Sequence, residues 1–458
     1  MTRYVAVIDI GKTNAKVALV DLETSSEIAV FKTPNHVTAG PPYPHFDVEA
    51  LWDFILSGLK SLAEKYSVDA ISVTTHGATA ALVDAKGDLV LPVLDYEFTG
   101  LDEKRAAYEA VRPPFDETGS PPLPIGLNLG AQIFWQANSL PNDFARCEAI
   151  LTYPQYWSFR LSGVMASEAT SLGCHTDLWN PWTGDFSTLV ASQGWGHLFP
   201  KLQLASANLG PLLDRIADET GIKRGTPVYC GIHDSNASLL PYLDGELTSF
   251  AVVSTGTWII SLCVGGERVL LDPSRDTLVN VNANGDPTPT ARFMGGREFD
   301  LITNGKADTP NSSDIAAVLD HQIMVIPSAS ASTAQPHFLF PNGEPKSSGE
   351  RICVASLYCA MQTGESLALI GAQGPIYVEG PFAKNALYLD MLAVASTRLV
   401  YPSATGSTGT SLGAARLAGD VHKSIGFSSV ATHKTLKAQL ADYASAWTAA
   451  YEDRRKHL

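Results

Sequence analysis

The sequence predicts an α/β protein built as two large domains, and three observations carry this. At 458 residues the chain is too long for one small core, since domains run at roughly 100–200 residues. Its composition, 45% apolar and 17% charged with 37 glycines and 28 prolines, is that of a packed globular chain rather than a disordered, collagenous or coiled-coil one. A strand–turn–strand unit of one design opens each half, once from Tyr4 and once from Phe250, as a duplicated two-lobed protein would show. The boundary is placed near Gly245, giving domains of residues 1–244 and 245–458.

In chain order, residues 4–9 alternate apolar and polar side chains, break at Gly11-Lys12 and resume through 15–20, which reads as a strand, a tight turn and a returning strand. Residues 49–66 place Leu51, Phe54, Ile55, Leu59 and Leu62 at helical spacing, predicting a helix laid on the sheet. Residues 70–74 and 80–84, separated by His76-Gly77, read as a second strand–turn–strand unit. Residues 227–230 form a strand that leads through Asp234 into a helix. Residues 250–253 run through Ser254-Thr255-Gly256-Thr257 into 258–262, repeating the N-terminal design. Residues 376–378 form a strand that stops at Gly380-Pro381, and a helix follows through Tyr388, Met391 and Leu392. Residues 406–419 are a small-residue loop feeding a helix, while 328–333 and 341–349 read as surface loops. Strands mixed with helices in this way define the α/β class.

Acidic residues outnumber basic ones by 47 to 32, a formal charge of −15. Such a surface repels phosphate backbones and anionic lipid, so no nucleic-acid or membrane partner is expected. No basic, apolar, small-residue signal opens the sequence. The longest uncharged apolar stretch, 250–266, carries Ser254, Thr255, Gly256, Thr257 and Ser261, which a membrane span would leave unsatisfied. The six cysteines, Cys147, Cys174, Cys230, Cys263, Cys353 and Cys359, lack C-x-x-C or Cys/His ligand spacing, so buried reduced thiols are expected and a zinc site is not. The expectation is a cytoplasmic protein, a monomer or a homodimer.

Several segments carry chemistry. In Asp9-Ile10-Gly11-Lys12-Thr13-Asn14-Ala15-Lys16, glycine permits a turn whose N–H groups can face an anion. Thr13 and Asn14 add donors, and Asp9 at the strand end could hold hydrated Mg²⁺. The segment is not a Walker A loop, and its ordinary alternative is a hairpin with polar turn residues. Ser254-Thr255-Gly256-Thr257 has the same two readings, but two hydroxyl-lined turns in one chain could clasp an oligophosphate. Asp234, between a strand and a helix, is either an N-cap or a general base that accepts a proton from a substrate hydroxyl. His233 reads as a structural hydrogen-bonding residue. Gly380 can let a flat ring approach the backbone and Asn385 can hydrogen-bond it, and the 406–419 segment could pack on the same ring; a plain strand-to-helix turn is the alternative. The metallohydrolase signature H-E-x-x-H is absent.

Taken in order, these motifs resemble the FGGY-type carbohydrate kinases of the sugar kinase, actin and heat-shock chaperone ATPase superfamily. The resemblance is carried by Asp9-x-Gly11-x-Thr13, Gly231-x-x-Asp234, Ser254-Thr255-Gly256-Thr257, Gly380-Pro381-Phe382-Ala383-Lys384-Asn385 and Leu412-Gly413-Ala414-Ala415, which span nearly the whole chain. His233-Asp234 with Ser254 to Trp258, and Arg160-Leu161-Ser162-Gly163, look most like the rhamnulokinase and fuculokinase branch. The resemblance implies two ribonuclease-H-like lobes, with sugar held mainly by the first and ATP in the cleft between them. It implies Asp234 as catalytic base and Asp9 as the magnesium-associated aspartate, with Asp234 also beside the metal. Gly11, Thr13, Asn14 and Lys16 would form the first phosphate loop and Ser254, Thr255, Gly256 and Thr257 the second, with Gly380, Phe382 and Asn385 at the adenosine. His76, Gly77, Asp95 and Glu97 fall in segments that line the sugar pocket, and Gln155 is expected there as a further hydrogen-bonding group. The chain departs from relatives at Gln155-Tyr156, where Asp-Tyr is common, and at Asp95-Tyr96-Glu97-Phe98-Thr99, where Trp/Tyr-x-Asp-x-Arg is usual. Met294-Gly295-Gly296-Arg297-Glu298 has no assignment.

The activity implied is ATP- and Mg²⁺-dependent phosphorylation of a small ketose at a primary hydroxyl, with a 6-deoxyketohexose (L-rhamnulose or L-fuculose, at O1) favoured. A pentulose kinase acting on xylulose or ribulose is the alternative within the fold. A non-catalytic sugar or nucleotide sensor is the alternative of another class, and an actin-like filament is disfavoured because no further feature suggests a polymer contact.

Overall fold

The computed structural model describes all residues except 1, 244, 246, 307, 328–337, 404–408, 420–435 and 457–458. The loop expected at 328–333 and the 406–408 start of the small-residue segment lie outside the described residues. Two compact units are formed. The first comprises Met1–Gly245, Val279–Pro287 and Thr408–Ile425; the second comprises Glu246–Leu278, Thr288–Ser407 and Gly426–Leu458.

In the first unit, β1 (Tyr4–Ile10), β2 (Asn14–Asp21) and β3 (Ser26–Pro34) form an antiparallel run. β1 also pairs in parallel with β4 (Ala70–Thr75), and the crossover that parallel strands require is helix α1 (Val48–Ala63). Asp47 caps α1 by accepting a hydrogen bond from the Ala50 N–H at 3.0 Å. The helix buries Leu51, Ile55, Leu59 and Leu62 on one face. Gly58 brings that face onto β2, since a Cβ there would stand 3.0 Å from the Val17 side chain.

The second strand–turn–strand unit expected from the sequence does not close as a hairpin. After β4 the chain turns, with Ala78 at φ 53°, and β5 (Ala80–Val83) pairs with β6 (Ala149–Thr152) in a separate two-stranded sheet. The reason is that β4 has no free edge. β1 occupies one side, and β8 (Pro227–Tyr229) and β9 (Ile232–His233) the other, all parallel to it. With β7 (Asn208–Pro211) on β8, the order is β7-β8-β4-β1-β2-β3, with β9 also on β4. Helix α2 (Tyr153–Ser162) follows β6, and α3 (Asp234–Leu243) follows β9. The helix Gly409–Arg416 packs closely on α3: a Cβ on Gly413 would stand 1.7 Å from the Ala237 carbonyl oxygen.

In the second unit, β10 (Phe250–Thr255) and β11 (Ile259–Val264) form an antiparallel hairpin. With β12 (Thr277–Val281), β13 (Pro287–Phe293), β14 (Ile376–Glu379) and β15 (Val400–Pro402) the order is β12-β13-β11-β10-β14-β15. β10 pairs in parallel with β14, so a hairpin with a parallel strand beside its first arm recurs in both units. Helices α4 (Gly295–Thr303), α5 (Ser348–Leu369) and α6 (Ala386–Ser396) pack around this sheet, and Val253, Ile259, Leu357, Tyr388 and Trp447 lie in one apolar core. All six cysteines are free and buried. Among the described residues, no helix is long and apolar enough to cross a membrane and no cluster of three metal-ligating side chains occurs.

Candidate active site

β1, β4 and β9 run parallel, with Asp9 level with Thr74 and Thr74 level with Ile232. Their carboxyl ends therefore carry Asp9, the His76-Gly77 turn and Asp234 to one edge of the sheet, the place where open α/β sheets bind ligands.

Asp234 is the first residue of α3, and its side chain is 34% exposed. Its Oδ1 accepts hydrogen bonds from the Ser235 N–H at 2.6 Å and the Ser235 hydroxyl at 3.3 Å, with His233 Nε2 at 3.1 Å. Burial raises its pKa above the ordinary carboxylate value, opposed by His76 and by the Ser235 bonds. A carboxylate raised in this way is a better proton acceptor.

The backbone ahead of Asp234 is tightly fixed. Gly231 has φ 91°, and a Cβ there would stand 2.8 Å from the Val73 carbonyl oxygen. Gln155 Nε2 donates to the carbonyls of Cys230 and Gly231 at 3.1 Å each, and the Ser158 hydroxyl donates to Cys230 at 3.0 Å. The Gln155 Oε1 accepts from Thr152, and the side chain is fully buried. The sugar contact expected of Gln155 is corrected by this geometry, because both ends of its amide are committed to holding the turn under Asp234. The His233 N–H donates to Thr170 Oγ1 at 3.1 Å, and that hydroxyl donates to Glu168 at 2.6 Å. Burial pushes Glu168 up to about 7, against the bonds from Thr170 and Ser171. Nothing in the sequence marks this pair.

Asp9 Oδ2 accepts from the Ser411 hydroxyl at 3.2 Å and lies 3.3 Å from Lys16 Nζ. Lys16 also pairs with Glu27 at 2.9 Å. Of the residues expected in the first phosphate loop, Lys16 on β2 thus pairs with acids on β1 and β3, while Gly11, Thr13 and Asn14 form the turn itself. The Gly11 N–H donates to the Asn14 carbonyl at 2.9 Å, Asn35 Nδ2 donates to the Gly11 carbonyl at 2.9 Å, and Thr13 and Asn14 are exposed. Burial raises the pKa of Asp9; Lys16 opposes this and Asp234 adds to it, so the two carboxylates act on one another.

Lys12, in the same turn, was not singled out by the sequence. Its ammonium bonds Asp95, lies 3.4 Å from Glu97, and stands 5.0 and 5.1 Å from the ring centroids of Phe46 and Tyr96. His76 packs on the same two rings, at 5.2 and 5.6 Å. Its Nδ1 lies 2.9 Å from the Gly77 carbonyl oxygen, a contact that makes Nδ1–H the donor, and the buried Nε2 has no hydrogen-bond partner. Burial pushes His76 down to about 4; the Gly77 bond and Asp234 oppose this and Lys12 adds to it. Gly77 makes room for the base segment, since a Cβ there would stand 2.9 Å from His233 Nε2. Tyr96 is pushed up to about 12 by burial and then by Glu97, Asp95 and Asp234. The structure therefore brings His76, Gly77, Asp95 and Glu97 together with Lys12 and Tyr96, which the sequence reading missed.

In the second unit, the Gly256 N–H closes the β10–β11 turn on the Trp258 carbonyl at 2.9 Å, with Gly256 and Thr257 exposed and Ser254 half-buried. Thr255 is buried; its hydroxyl donates to the Glu379 carbonyl and accepts from the Phe382 N–H at 3.1 Å. That hydroxyl joins β10 to the turn after β14 instead of facing a phosphate. Gly380 has φ 80°, and a Cβ there would stand 2.0 Å from the Thr255 carbonyl oxygen, so the approach of β10 requires it. Phe382 is buried against Tyr388 and Phe299, with centroids 4.9 and 5.3 Å away. Asn385 caps α6, accepting from the Tyr388 N–H at 3.1 Å and donating to Ser356 at 2.8 Å. Phe382 thus packs in the core and Asn385 caps a helix, in the segment where adenosine contacts are expected. The unassigned Met294–Glu298 segment supports the second turn: a Cβ on Gly296 would stand 2.0 Å from the Gly256 carbonyl oxygen.

Comparison with known proteins agrees with this arrangement of motifs. Residues 4–241 match the N-terminal domain of the FGGY family of carbohydrate kinases, and residues 247–425 match the FGGY C-terminal domain. The crystal structure of a carbohydrate kinase from Novosphingobium aromaticivorans is similar over 99% of both chains, at 34% identity and a TM-score of 0.90. L-fuculokinase of Salmonella typhi is 26% identical over 272 residues, 57% of each chain. L-xylulose/3-keto-L-gulonate kinase of Escherichia coli (strain K12) is 25% identical over 284 residues, 57% of this chain and 54% of that one. The chain spans a little over half the length of these two curated relatives. Its two domain matches run in sequence over most of its own length, and it belongs to the FGGY family of carbohydrate kinases.

Proposed function

We propose that the protein transfers the γ-phosphoryl group of ATP to the O1 hydroxyl of a small neutral ketose, a 6-deoxyketohexose such as L-rhamnulose or L-fuculose, in the cytoplasm. Residues 1–244 would hold the sugar and residues 245–458 the nucleotide. The observation that carries the reading is the pairing of a base with an open acceptor. Asp234, its pKa raised by burial, stands at the strand ends with His76, whose Nε2 is buried and unpartnered. Asp234 accepts the proton of the attacking hydroxyl, and His76 Nε2 accepts a hydrogen bond from a second sugar hydroxyl. In a 6-deoxy sugar C6 has no hydroxyl, which leaves O1 as the primary acceptor.

Asp9 and Asp234 fit a magnesium ion. Both are oxygen donors at the carboxyl ends of parallel strands, and the charge of Asp234 bears on Asp9, a repulsion that a divalent cation would relieve; Mg²⁺ keeps several waters and takes few protein ligands. When bound, it would neutralise charge on the phosphates. The exposed turn residues Thr13 and Asn14 in the first unit, and Gly256 and Thr257 in the second, would each supply donors to phosphate.

Similarity to the L-xylulose/3-keto-L-gulonate kinase supports a pentulose as the second reading. A coupled ADP-release assay over a ketose panel tests both. The expected outcome is a higher kcat/KM for L-fuculose or L-rhamnulose than for D-xylulose, D-ribulose or glycerol. A clear win by a pentulose replaces the first reading with the second, and ADP release stimulated by no sugar or polyol would favour a sensor.

A further inference from the structure

We infer that Lys12, although it sits in the first hairpin turn, is a specificity residue of the sugar pocket, and that its pairing with Asp95 and Glu97 closes that pocket to sugar acids. This rests on the kinase reading for what the pocket holds, and it adds the charge class of the acceptor and the residue that sets it.

The position of the ammonium is the first argument. A lysine in a turn next to exposed Thr13 and Asn14 would be expected to reach for phosphate, as a compact cation does. Here the side chain folds back until it is 19% exposed, with its nitrogen on Asp95, 3.4 Å from Glu97 and flanked by Phe46 and Tyr96. Asp95 is itself fixed, accepting from the Glu97 N–H at 3.2 Å. Lys12 and His76 pack on the same two rings, Phe46 and Tyr96, which places the ammonium at the His76 end of the pocket.

The second argument is what a carboxylate would meet there. Asp95 and Glu97 pair with Lys12, and Asp9 and Glu27 with Lys16, so both lysines are committed to acids already present. His76 offers a lone pair at Nε2, because Nδ1–H is used on Gly77. An acceptor carboxylate would lose water and find both lysines already committed, a desolvation that is not repaid. Sugar hydroxyls, by contrast, can donate to Asp95, Glu97 and His76. Discrimination of this kind works by penalising the wrong ligand.

The test measures binding to the full chain without nucleotide, by thermal shift and tryptophan fluorescence titration, so that it reads the pocket independently of turnover. L-fuculose, L-rhamnulose and D-xylulose are the neutral probes, and D-gluconate and 3-keto-L-gulonate the acidic ones. The expected wild-type result is neutral sugars bound at least ~10-fold tighter than either acid. Asp95→Asn with Glu97→Gln should narrow that ratio at least ~10-fold by releasing Lys12, and adding Lys12→Gln should remove the gain. Glu97→Gln alone, at a side chain 60% exposed, gives a smaller change of the same sign in a protein whose fold is undisturbed. Acids bound as tightly as neutral sugars by the wild type, or a gain that survives Lys12→Gln, overturns the inference. Failure of every sugar to release ADP would instead sink the kinase reading, and the binding ratios would still decide the role of Lys12.

Discussion

The two hairpins, β1–β2 and β10–β11, share a topology and are held in opposite ways. Around the first turn the ties are side chains: Lys12 to Asp95 and Glu97, Lys16 to Asp9 and Glu27, and Asn35 to the Gly11 carbonyl. Around the second they are close backbone approaches, at Gly296 under Gly256 and at Gly380 under Thr255, with the Thr255 hydroxyl spanning two strands. A turn held by charged groups can place proton acceptors and read a polyol, and its geometry is open to single side-chain changes. A turn held by backbone contact leaves its side chains free of such ties and is suited to presenting N–H groups to an anion.

The largest test of this contrast is Asp234→Asn. Shape and hydrogen bonding persist while the base is lost, so kcat should fall at least ~10²-fold with sugar and nucleotide binding near normal. No single change in the second hairpin should cost as much turnover, and a kcat within a few-fold of wild type would remove the base assignment. Next comes Gly380→Ala, which meets both a positive φ and the Thr255 carbonyl at 2.0 Å. It should destabilise the fold by roughly 2–3 kcal/mol in chemical denaturation. Gly11→Ala, with 3.1 Å to the Asn14 carbonyl and no positive φ, should cost less than ~1 kcal/mol, and equal losses would break the contrast.

Smaller effects sharpen it. Thr257→Val removes an exposed hydroxyl and keeps the β-branched shape, so KM for ATP should rise several-fold with KM for sugar unchanged. Equal effects on both ligands would place this turn away from the phosphates. Asn385→Ala removes the cap of α6 and should lower stability by about 1 kcal/mol. Adenosine affinity in that variant should stay at the wild-type value, and a selective loss would return Asn385 to the nucleotide site.

The repeated hairpins and Asp234 at a strand–helix junction were legible because each is a local pattern of glycine, hydroxyl and acid. What could not be read are partners set by long-range topology. Ser411 reaches Asp9 from 402 residues away, and Lys12 meets Asp95 across 83. The β5–β6 pairing follows from both edges of β4 being occupied, which no local window of residues 70–84 contains. Gln155 has the residue type of a ligand contact, and its burial with both ends of the amide bonded is what assigns it to support. Thr255 shows the same ambiguity inside a motif, since its hydroxyl type suits either use and the nearby Glu379 carbonyl decides.

The six buried cysteines have a practical consequence. Burial pushes the Cys147 thiol up to about 11 and Cys353 up to about 12, and thiolate is the form that reacts with alkylating dyes. Thr24 is exposed and lies outside the candidate site, so a cysteine introduced there would be labelled ahead of the native thiols without first stripping those from the chain.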